Sequence, residues 1–130
     1  MLDHVGIVVS DMAASRAFYE AALRALGLSV QMEVTAAETG GAYEGLGFGP
    51  AGKPGFWVSR SGAQASGPVH LAFAAPDRAT VDAFYFAAMG SGGRDNGAPG
   101  LRPHYHPDYY GAFVLDPDGN NVEAVCHRPE

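Results

Sequence analysis

Two histidines and one glutamate stand at related positions in a chain that repeats itself. His4 and His70 are 66 residues apart, and the same offset carries Trp57 onto Glu123. Two imidazoles and one carboxylate are a sufficient ligand set for a divalent metal that keeps coordination positions open. The spacing therefore indicates a metal site to which each repeat contributes a histidine.

The repeat extends well beyond these positions. Residues 4–27 and 70–93 agree at nine of 24 positions without a gap, and four of those nine matches are alanine pairs. The argument rests on the other matches, which are His4/His70, Asp11/Asp77, Phe18/Phe84, Tyr19/Tyr85 and Gly27/Gly93. Such self-similarity at a fixed offset predicts two copies of one structural unit.

Each copy predicts a strand, a helix and three further strands. In the first copy we expect a strand over residues 2–9, a helix over 12–26 and strands over 29–35, 42–48 and 55–60. In the second copy we expect a strand over 69–75, a helix from 77 to 89, an interrupted strand between 94 and 107, and strands over 110–115 and 121–127. Asp116-Pro117-Asp118-Gly119 is a turn sequence joining the last two strands. The fold class is therefore α+β.

Strand alternation places the candidate ligands on faces with small neighbours. His4 shares its face with Gly6, and His70 shares its face with Ala72, while bulky residues occupy the opposite faces. We expect the bulky faces to pack on the helices. The histidine faces then have room for a ligand.

Length and composition favour one globular unit and exclude several classes of partner. We expect a single domain, residues 1–130, made of repeats at about 1–65 and 66–130. A net charge of −6 without a Lys/Arg cluster argues against nucleic acid as a partner. No apolar run approaches the roughly 20 residues of a membrane span, and we expect no signal peptide because Met1 leads straight into Asp3 and His4. The single cysteine, Cys126, makes a reducing cytoplasm the expected location.

These motifs together resemble the vicinal oxygen chelate superfamily, which includes glyoxalase I, bleomycin-resistance proteins, fosfomycin-resistance enzymes and extradiol dioxygenases. The resemblance covers nearly the whole chain and rests on DHVGIVV at 3–9, the Phe-Tyr pair at 18–19, His70 and DPDGNNVE at 116–123. It implies two βαβββ units that form a curved mixed sheet around a metal-binding cavity, with helices on the outside. By position it implies that His4, His70 and Glu123 bind a divalent iron, manganese, nickel or zinc ion.

Position 57 departs from the lyase members of that superfamily. Glyoxalase I and methylmalonyl-CoA epimerase use a fourth protein ligand on the strand where this chain has Trp57. An indole nitrogen is only a hydrogen-bond donor, so Trp57 cannot bind a metal. We expect it to be either a core aromatic residue or a wall for an apolar or aromatic substrate.

The resemblance to extradiol dioxygenases is partial. Those enzymes carry a histidine, then a tyrosine, an Asp-Pro-x-Gly turn and the ligand glutamate. Here His104 and His106 precede Phe113, and Phe113 has no proton to donate as an acid. Tyr109 and Tyr110 lie close in sequence and are candidates to replace it.

The segment PHYHPDYY at 103–110 concentrates polar aromatic residues before a strand. One hypothesis makes it a loop at the rim of the pocket, with His106, Tyr109 and Tyr110 as catalytic candidates. The other is a proline-stiffened turn whose rings pack on the sheet. The remaining candidate pocket residues are Trp57, Gly6, Ala72, His104, Phe113 and Asn121.

Two functions from different classes remain open. The first is a metal-dependent enzyme acting on a small oxygenated molecule, by lyase or isomerase chemistry or by ring-cleaving dioxygenation. The second is a metal-free binding protein of the bleomycin-resistance type. In the superfamily the cavity is closed either within one chain or across two, and we expect a homodimer.

Overall fold

The computed structural model describes residues 1–62 and 64–130. These residues form eight strands, two α-helices and a short 3-10 helix, Ala37–Thr39. The first unit comprises β1 (Val5–Val8), α1 (Met12–Arg24), β2 (Ser29–Val34), β3 (Tyr43–Gly49) and β4 (Phe56–Ser61). The second comprises β5 (His70–Ala74), α2 (Arg78–Met89), β6 (Arg94–Leu101), β7 (Tyr110–Leu115) and β8 (Asn121–Cys126). The predicted α+β fold of two tandem βαβββ units is confirmed.

Both helices begin at the aspartates that the repeat aligns. Asp11 accepts a hydrogen bond from the amide of Ala14 at 3.0 Å, and Asp77 accepts one from the amide of Thr80 at 2.7 Å. Each carboxylate therefore satisfies an amide that the first helical turn leaves without a partner. The first helix ends at Arg24, two residues before its predicted end.

The strands divide between two four-stranded mixed sheets, in the orders β1-β4-β3-β2 and β5-β8-β7-β6. The strand register repeats between the units. Gly6 is paired with Trp57 in the first sheet, and Ala72 is paired with Glu123 in the second, 66 residues later in both strands. The internal repeat in the sequence is thus a repeat in three dimensions.

The two units meet through the helix-covered faces of their sheets. α1 and α2 pack against each other, and the Phe56 and Phe73 rings meet edge-on with centroids 5.4 Å apart. Tyr19 on α1 donates its hydroxyl to buried Asp116 of the second unit at 2.6 Å. This burial raises the pKa of the Tyr19 phenol, and the Asp116 charge adds to the effect.

The predicted turn at 116–119 joins β7 to β8, and the carboxylate of Asp116 stabilises it. The amide of Gly119 donates to the carbonyl of Asp116 at 2.9 Å. The side chain of Asp116 accepts the amides of Asp118 and Asn120 at 2.9 and 2.8 Å. The turn places Asn121 at the start of β8. Because side chains alternate along a strand, this start determines which face of the sheet Glu123 occupies.

The opposite face of each sheet remains open because the shared core uses only one face of each. In β5 the side chains of His70, Ala72 and Ala74 are exposed, whereas Leu71 and Phe73 pack against the core. In β1, Ile7 is buried and Gly6 is exposed. Both candidate histidine faces are therefore open in the single chain. Among the described residues, neither helix has the length and apolar composition needed to cross a bilayer.

Candidate metal site

The side chains of His70 and Glu123 meet on the open face of the second sheet. β5 and β8 are parallel neighbours, and their register brings Glu123 opposite Ala72, two residues from His70. His70 donates its Nε2 hydrogen to Glu123 Oε1 at 2.8 Å, because a carboxylate can only accept. The side chain of Glu123 is 1% exposed and that of His70 is 54% exposed. A buried carboxylate thus lies behind an accessible imidazole.

The spacing of these two atoms suits a common ion. Nitrogen and oxygen ligands lie about 2.0–2.2 Å from a bound zinc ion, so neighbouring ligands are roughly 3 Å apart. The Nε2 and Oε1 atoms are 2.8 Å apart. Both are ligand types that borderline divalent metals accept. The pair could therefore hold an ion without moving apart substantially.

The hydroxyl of Tyr109 contacts the second carboxylate oxygen of Glu123. This hydroxyl donates to Glu123 Oε2, while Glu123 Oε1 faces His70. Burial raises the pKa of the Tyr109 phenol, and the hydrogen bond to Glu123 raises it further. The phenol therefore stays protonated at neutral pH and fixes the orientation of the carboxylate.

His4 lies on the open face of the first sheet. It lines a pocket of about 420 Å³ together with Gly6, Val34, Tyr43, Trp57 and Ser59. Its Nδ1 lies 2.7 Å from Asp3 Oδ1, and this hydrogen bond lowers the pKa of Asp3. A carboxylate on Nδ1 leaves Nε2 as the ring nitrogen available to a ligand.

One chain does not bring the three predicted ligands together. Over residues 1–62 and 64–130, no three His, Cys, Asp or Glu side chains approach closely enough to hold an ion. The pocket at His4 shares no residue with the pocket of about 310 Å³ on the second sheet, which adjoins His70 through Phe113. The single chain therefore contains two separate pocket regions, called half-sites below, and the second of them adjoins two of the three predicted ligands.

Trp57 and Gly6 form the wall of the first half-site. Trp57 is half-buried and lies across Gly47, where an added Cβ would come within 2.9 Å of the indole. Gly6 is its neighbour on β1. The lack of a side chain at Gly47 allows this close approach of the indole.

Three further predicted pocket residues lie beside His70 and Glu123. Phe113 is paired with Glu123 on the neighbouring strand, and its ring centroid is 6.3 Å from that of His70. Asn121 is paired with His70, and Ala72 with Glu123. The structure thus brings Ala72, Phe113 and Asn121 together with the ligand pair.

The predicted catalytic candidates other than Tyr109 lie farther from the carboxylate. The ring of His106 contacts His127, which in turn contacts Tyr109, with ring centroids 5.9 and 5.1 Å apart. His106 Nδ1 accepts the amide of Asp108 at 3.0 Å, so the neutral ring carries its proton on Nε2. The ring centroid of His104, a predicted pocket residue, lies 4.2 Å from that of exposed Tyr105, and the two rings are tilted by 48°.

Tyr110 lies on the opposite face of β7 from Phe113. Its hydroxyl donates to Asp82 on α2 at 2.7 Å, and the guanidinium of Arg78 lies 5.2 Å from its ring. The hydrogen bond to Asp82 raises the pKa of Tyr110, and burial adds to this. The structure does not bring Tyr110 together with Glu123.

Tyr43 and Arg102 are among the pocket-lining residues that were not sequence-based candidates. Tyr43 stands 66 residues before Tyr109, and each tyrosine ring folds over a glycine two residues further along, Gly45 and Gly111. The repeat itself was the signal that could have found Tyr43. Arg102 lines the second pocket, and no repeat or motif marked it.

The fold agrees with the family comparison. The family model described as the Glyoxalase/Bleomycin resistance protein/Dioxygenase superfamily matches residues 1–124. The chain belongs to this superfamily. No curated protein matches the chain at a significant level.

Solved structures resemble the chain over nearly its full length. One is a glyoxalase/bleomycin resistance protein from Albidiferax ferrireducens T118, with 30% identity, a TM-score of 0.68 and 97% of each chain covered. Another is a glyoxylase/bleomycin resistance protein/dioxygenase domain from Frankia sp. EAN1pec, with 16% identity, a TM-score of 0.70 and 98% of each chain covered. Glyoxalase I from Zea mays is 18% identical with a TM-score of 0.70, and the match covers 99% of this chain and 45% of that one. The last two likenesses concern the fold.

Proposed function

We propose that this protein is a divalent-metal-dependent enzyme that acts on a small oxygenated molecule at a site formed by His4, His70 and Glu123. The observation that carries the proposal is the pair of His70 Nε2 and buried Glu123 Oε1, 2.8 Å apart on an open sheet face. Burying a carboxylate is costly unless it is paired. Placing it behind an exposed imidazole serves a ligand-binding role better than a purely structural one.

The third ligand is supplied by a second copy of the chain. His4 occupies the position in the first unit that His70 occupies in the second, and both faces are open. A homodimer that packs the first sheet of one protomer against the second sheet of its partner would complete two equivalent sites. Each site would then contain His4 of one protomer and the His70–Glu123 pair of the other.

Each residue has a separate role in this site. The two imidazoles and Glu123 Oε1 would hold the ion, while Tyr109 donates its hydroxyl to Glu123 Oε2 and so orients the carboxylate. A bound divalent ion supplies Lewis acidity toward substrate oxygens or, if it is iron, redox chemistry with dioxygen. Trp57 excludes water from one side of the cavity and provides an aromatic surface for the substrate.

A metal-free small-molecule binding protein of the bleomycin-resistance type is the second candidate. One observation favours it: both oxygens of Glu123 already have hydrogen-bond partners in the chain, His70 and Tyr109. The carboxylate is therefore satisfied without an ion. Under this alternative, the cavity beside Trp57 would bind its ligand through the indole and its polar neighbours, without a metal.

Metal titration separates the two functions. Protein stripped with chelator is incubated in turn with iron(II), manganese, nickel and zinc, and elemental analysis follows gel filtration. We expect one tightly bound ion per chain for at least one metal, and its loss in His70→Ala and in Glu123→Gln. The matched control is His104→Ala, which removes an exposed histidine that contacts the ring of Tyr105 and should retain the ion. Wild-type protein that holds none of these metals would favour the binding protein.

The identity of the bound metal then indicates the reaction class. Iron would favour ring-cleaving dioxygenation, whereas nickel or zinc would favour lyase or isomerase chemistry. The absence of a carboxylate at position 57 leaves three protein ligands and a wider open face than a four-ligand site has. A substrate can then contribute two oxygens to the same ion.

A further inference from the structure

We infer that the pocket next to His70 binds an anionic oxygen group of the substrate through Arg102, and that the substrate is a small organic acid. This inference rests on the proposed function, in which oxygens at one end of the substrate lie toward His70 and Glu123. It identifies the chemical group at the other end of the same substrate. The pocket has a volume of about 310 Å³. Its lining residues are Asn96, Gly97, Arg102, Tyr105, Phe113 and Asn121, which include one cation and no carboxylate.

The guanidinium of Arg102 is held in place without being neutralised. It donates to the carbonyl of Ala98 at 2.8 Å and to the carbonyl of Gly100 at 2.9 Å. Both acceptors are uncharged, and three of the five guanidinium N–H groups remain for a ligand. Arginine presents these donors in a rigid plane that matches a carboxylate or phosphoryl group.

The shape of β6 builds this position. The pairing of β6 with β7 is irregular around Gly97, whose φ is +145°, a region that side chains rarely adopt. An added Cβ at Gly97 or at Gly100 would lie 3.2 Å from the Arg102 guanidinium. The amide of Arg102 also donates to the carbonyl of Tyr109 at 2.7 Å. The glycines therefore give the guanidinium its space, and the backbone contact ties it to the Tyr109 segment.

Phe113 links this cation to the ligand pair. Its ring centroid is 6.3 Å from that of His70 and 5.4 Å from the Arg102 guanidinium carbon. The guanidinium and the imidazole thus flank the same phenyl ring. A substrate lying on Phe113 would place an anionic group at Arg102 and its chelating oxygens toward His70 and Glu123. In a protein of net charge −6, a local cation is needed to favour anions.

The test compares an acid with its neutral isostere on chelator-treated protein. The probes are 4-fluorobenzoate, 4-fluorophenyl phosphate and 4-fluorobenzamide, and binding is followed by fluorine NMR. We expect at least one anion to bind about tenfold or more tightly than the amide, because charge-assisted hydrogen bonds replace neutral ones. The two anions distinguish a carboxylate from a phosphoryl substrate.

Variants then assign the preference to Arg102. The ratio of acid affinity to amide affinity should fall to about one in Arg102→Met, and in Arg102→Lys the preference for the acid should be smaller but present. Arg94→Met removes an exposed cation at the other end of β6, and its ratio should be unchanged. A misfolded variant would lose binding of both the acid and the amide, whereas a folded Arg102→Met protein should keep the wild-type affinity for the amide and lose only the preference for the acid. A wild-type ratio near one, or a preference that survives in Arg102→Met, would overturn the inference. Because no metal is present, this result is independent of whether His4, His70 and Glu123 bind an ion.

Discussion

Replacing Tyr109 by phenylalanine should weaken both metal binding and folding, because one hydroxyl orients the buried carboxylate. The hydroxyl donates to Glu123 Oε2, and the Glu123 side chain is 1% exposed. A hydrogen bond to a charged group contributes about 1.5–3 kcal/mol, and its loss leaves a buried oxygen without a partner. For 130 residues this corresponds to a decrease of about 5–10 °C in Tm. Loss of a residue that orients a ligand typically raises the metal Kd about 10–100-fold.

Tyr85→Phe is the matched control for this prediction. Tyr85 also donates its hydroxyl to a carboxylate, Asp95 at 3.0 Å, but the pair lies on the surface. Its loss should change Tm by less than about 2 °C and leave the metal Kd unchanged. Calorimetry measures both quantities, as unfolding with chelator present and as a metal titration. If Tyr109→Phe melted and bound metal like wild type, the Tyr109 hydroxyl would not be orienting the carboxylate.

Three further predictions concern the core and the pocket. The raised pKa of Tyr19 means that the unfolded chain releases this proton above about pH 10 while the folded chain retains it, so stability should fall by up to about 1.4 kcal/mol per pH unit there. Denaturant unfolding at pH 9 to 11 should show a shallower decline in Tyr19→Phe, and an equal decline in both proteins would contradict the assignment. Nickel should quench the emission of Trp57, the single tryptophan, in wild type but not in His70→Ala, whereas equal quenching in both would place the ion elsewhere. An added Cβ at Gly93 would lie 2.6 Å from the carbonyl of Ala88, so the free energy of unfolding of Gly93→Ala, measured in urea, should be about 1–3 kcal/mol below that of wild type. Gly67 has open space around it, so Gly67→Ala should unfold in urea like wild type.

The parts of the fold that follow from local rules could be predicted from the sequence. The helix starts at Asp11 and Asp77 follow from capping, and the strands of the last hairpin follow from alternation on either side of a turn sequence. Alternation also places His70 and Glu123 on particular faces of their strands, whereas their meeting was implied by the family resemblance. In the structure both residues lie on the open face of the second sheet, because β5 and β8 are neighbouring strands.

Contacts that depend on the path of a loop could not be predicted. Tyr109 reaches Glu123 because the segment after β6 folds back across the sheet, and hydrophobic periodicity carries no information about that path. Arg102 depends on irregular pairing in β6, where glycine and proline interrupt the strand pattern. The position of Tyr110, by contrast, could have been read from strand parity, since it alternates with Phe113.

The sequence also could not predict that His4 and His70 lie on separate open faces of the single chain. An internal repeat predicts that two units are alike but not which of their faces meet. Here the units meet through their helix-covered faces, with Phe56 against Phe73, so the histidine faces are open. Whether a second chain closes them is a property of the assembly.

Subunit complementation tests most directly whether one metal site combines residues of two chains. His4→Ala and His70→Ala are given different affinity tags, mixed under conditions that exchange subunits, and the mixed dimers are isolated through both tags. Each variant alone should bind no ion tightly. A mixed dimer contains one site with both lesions and one site with all three ligands, so we expect it to bind one ion. If the mixed dimers bind no metal while wild type does, each site lies within a single chain and the proposed shared site is wrong.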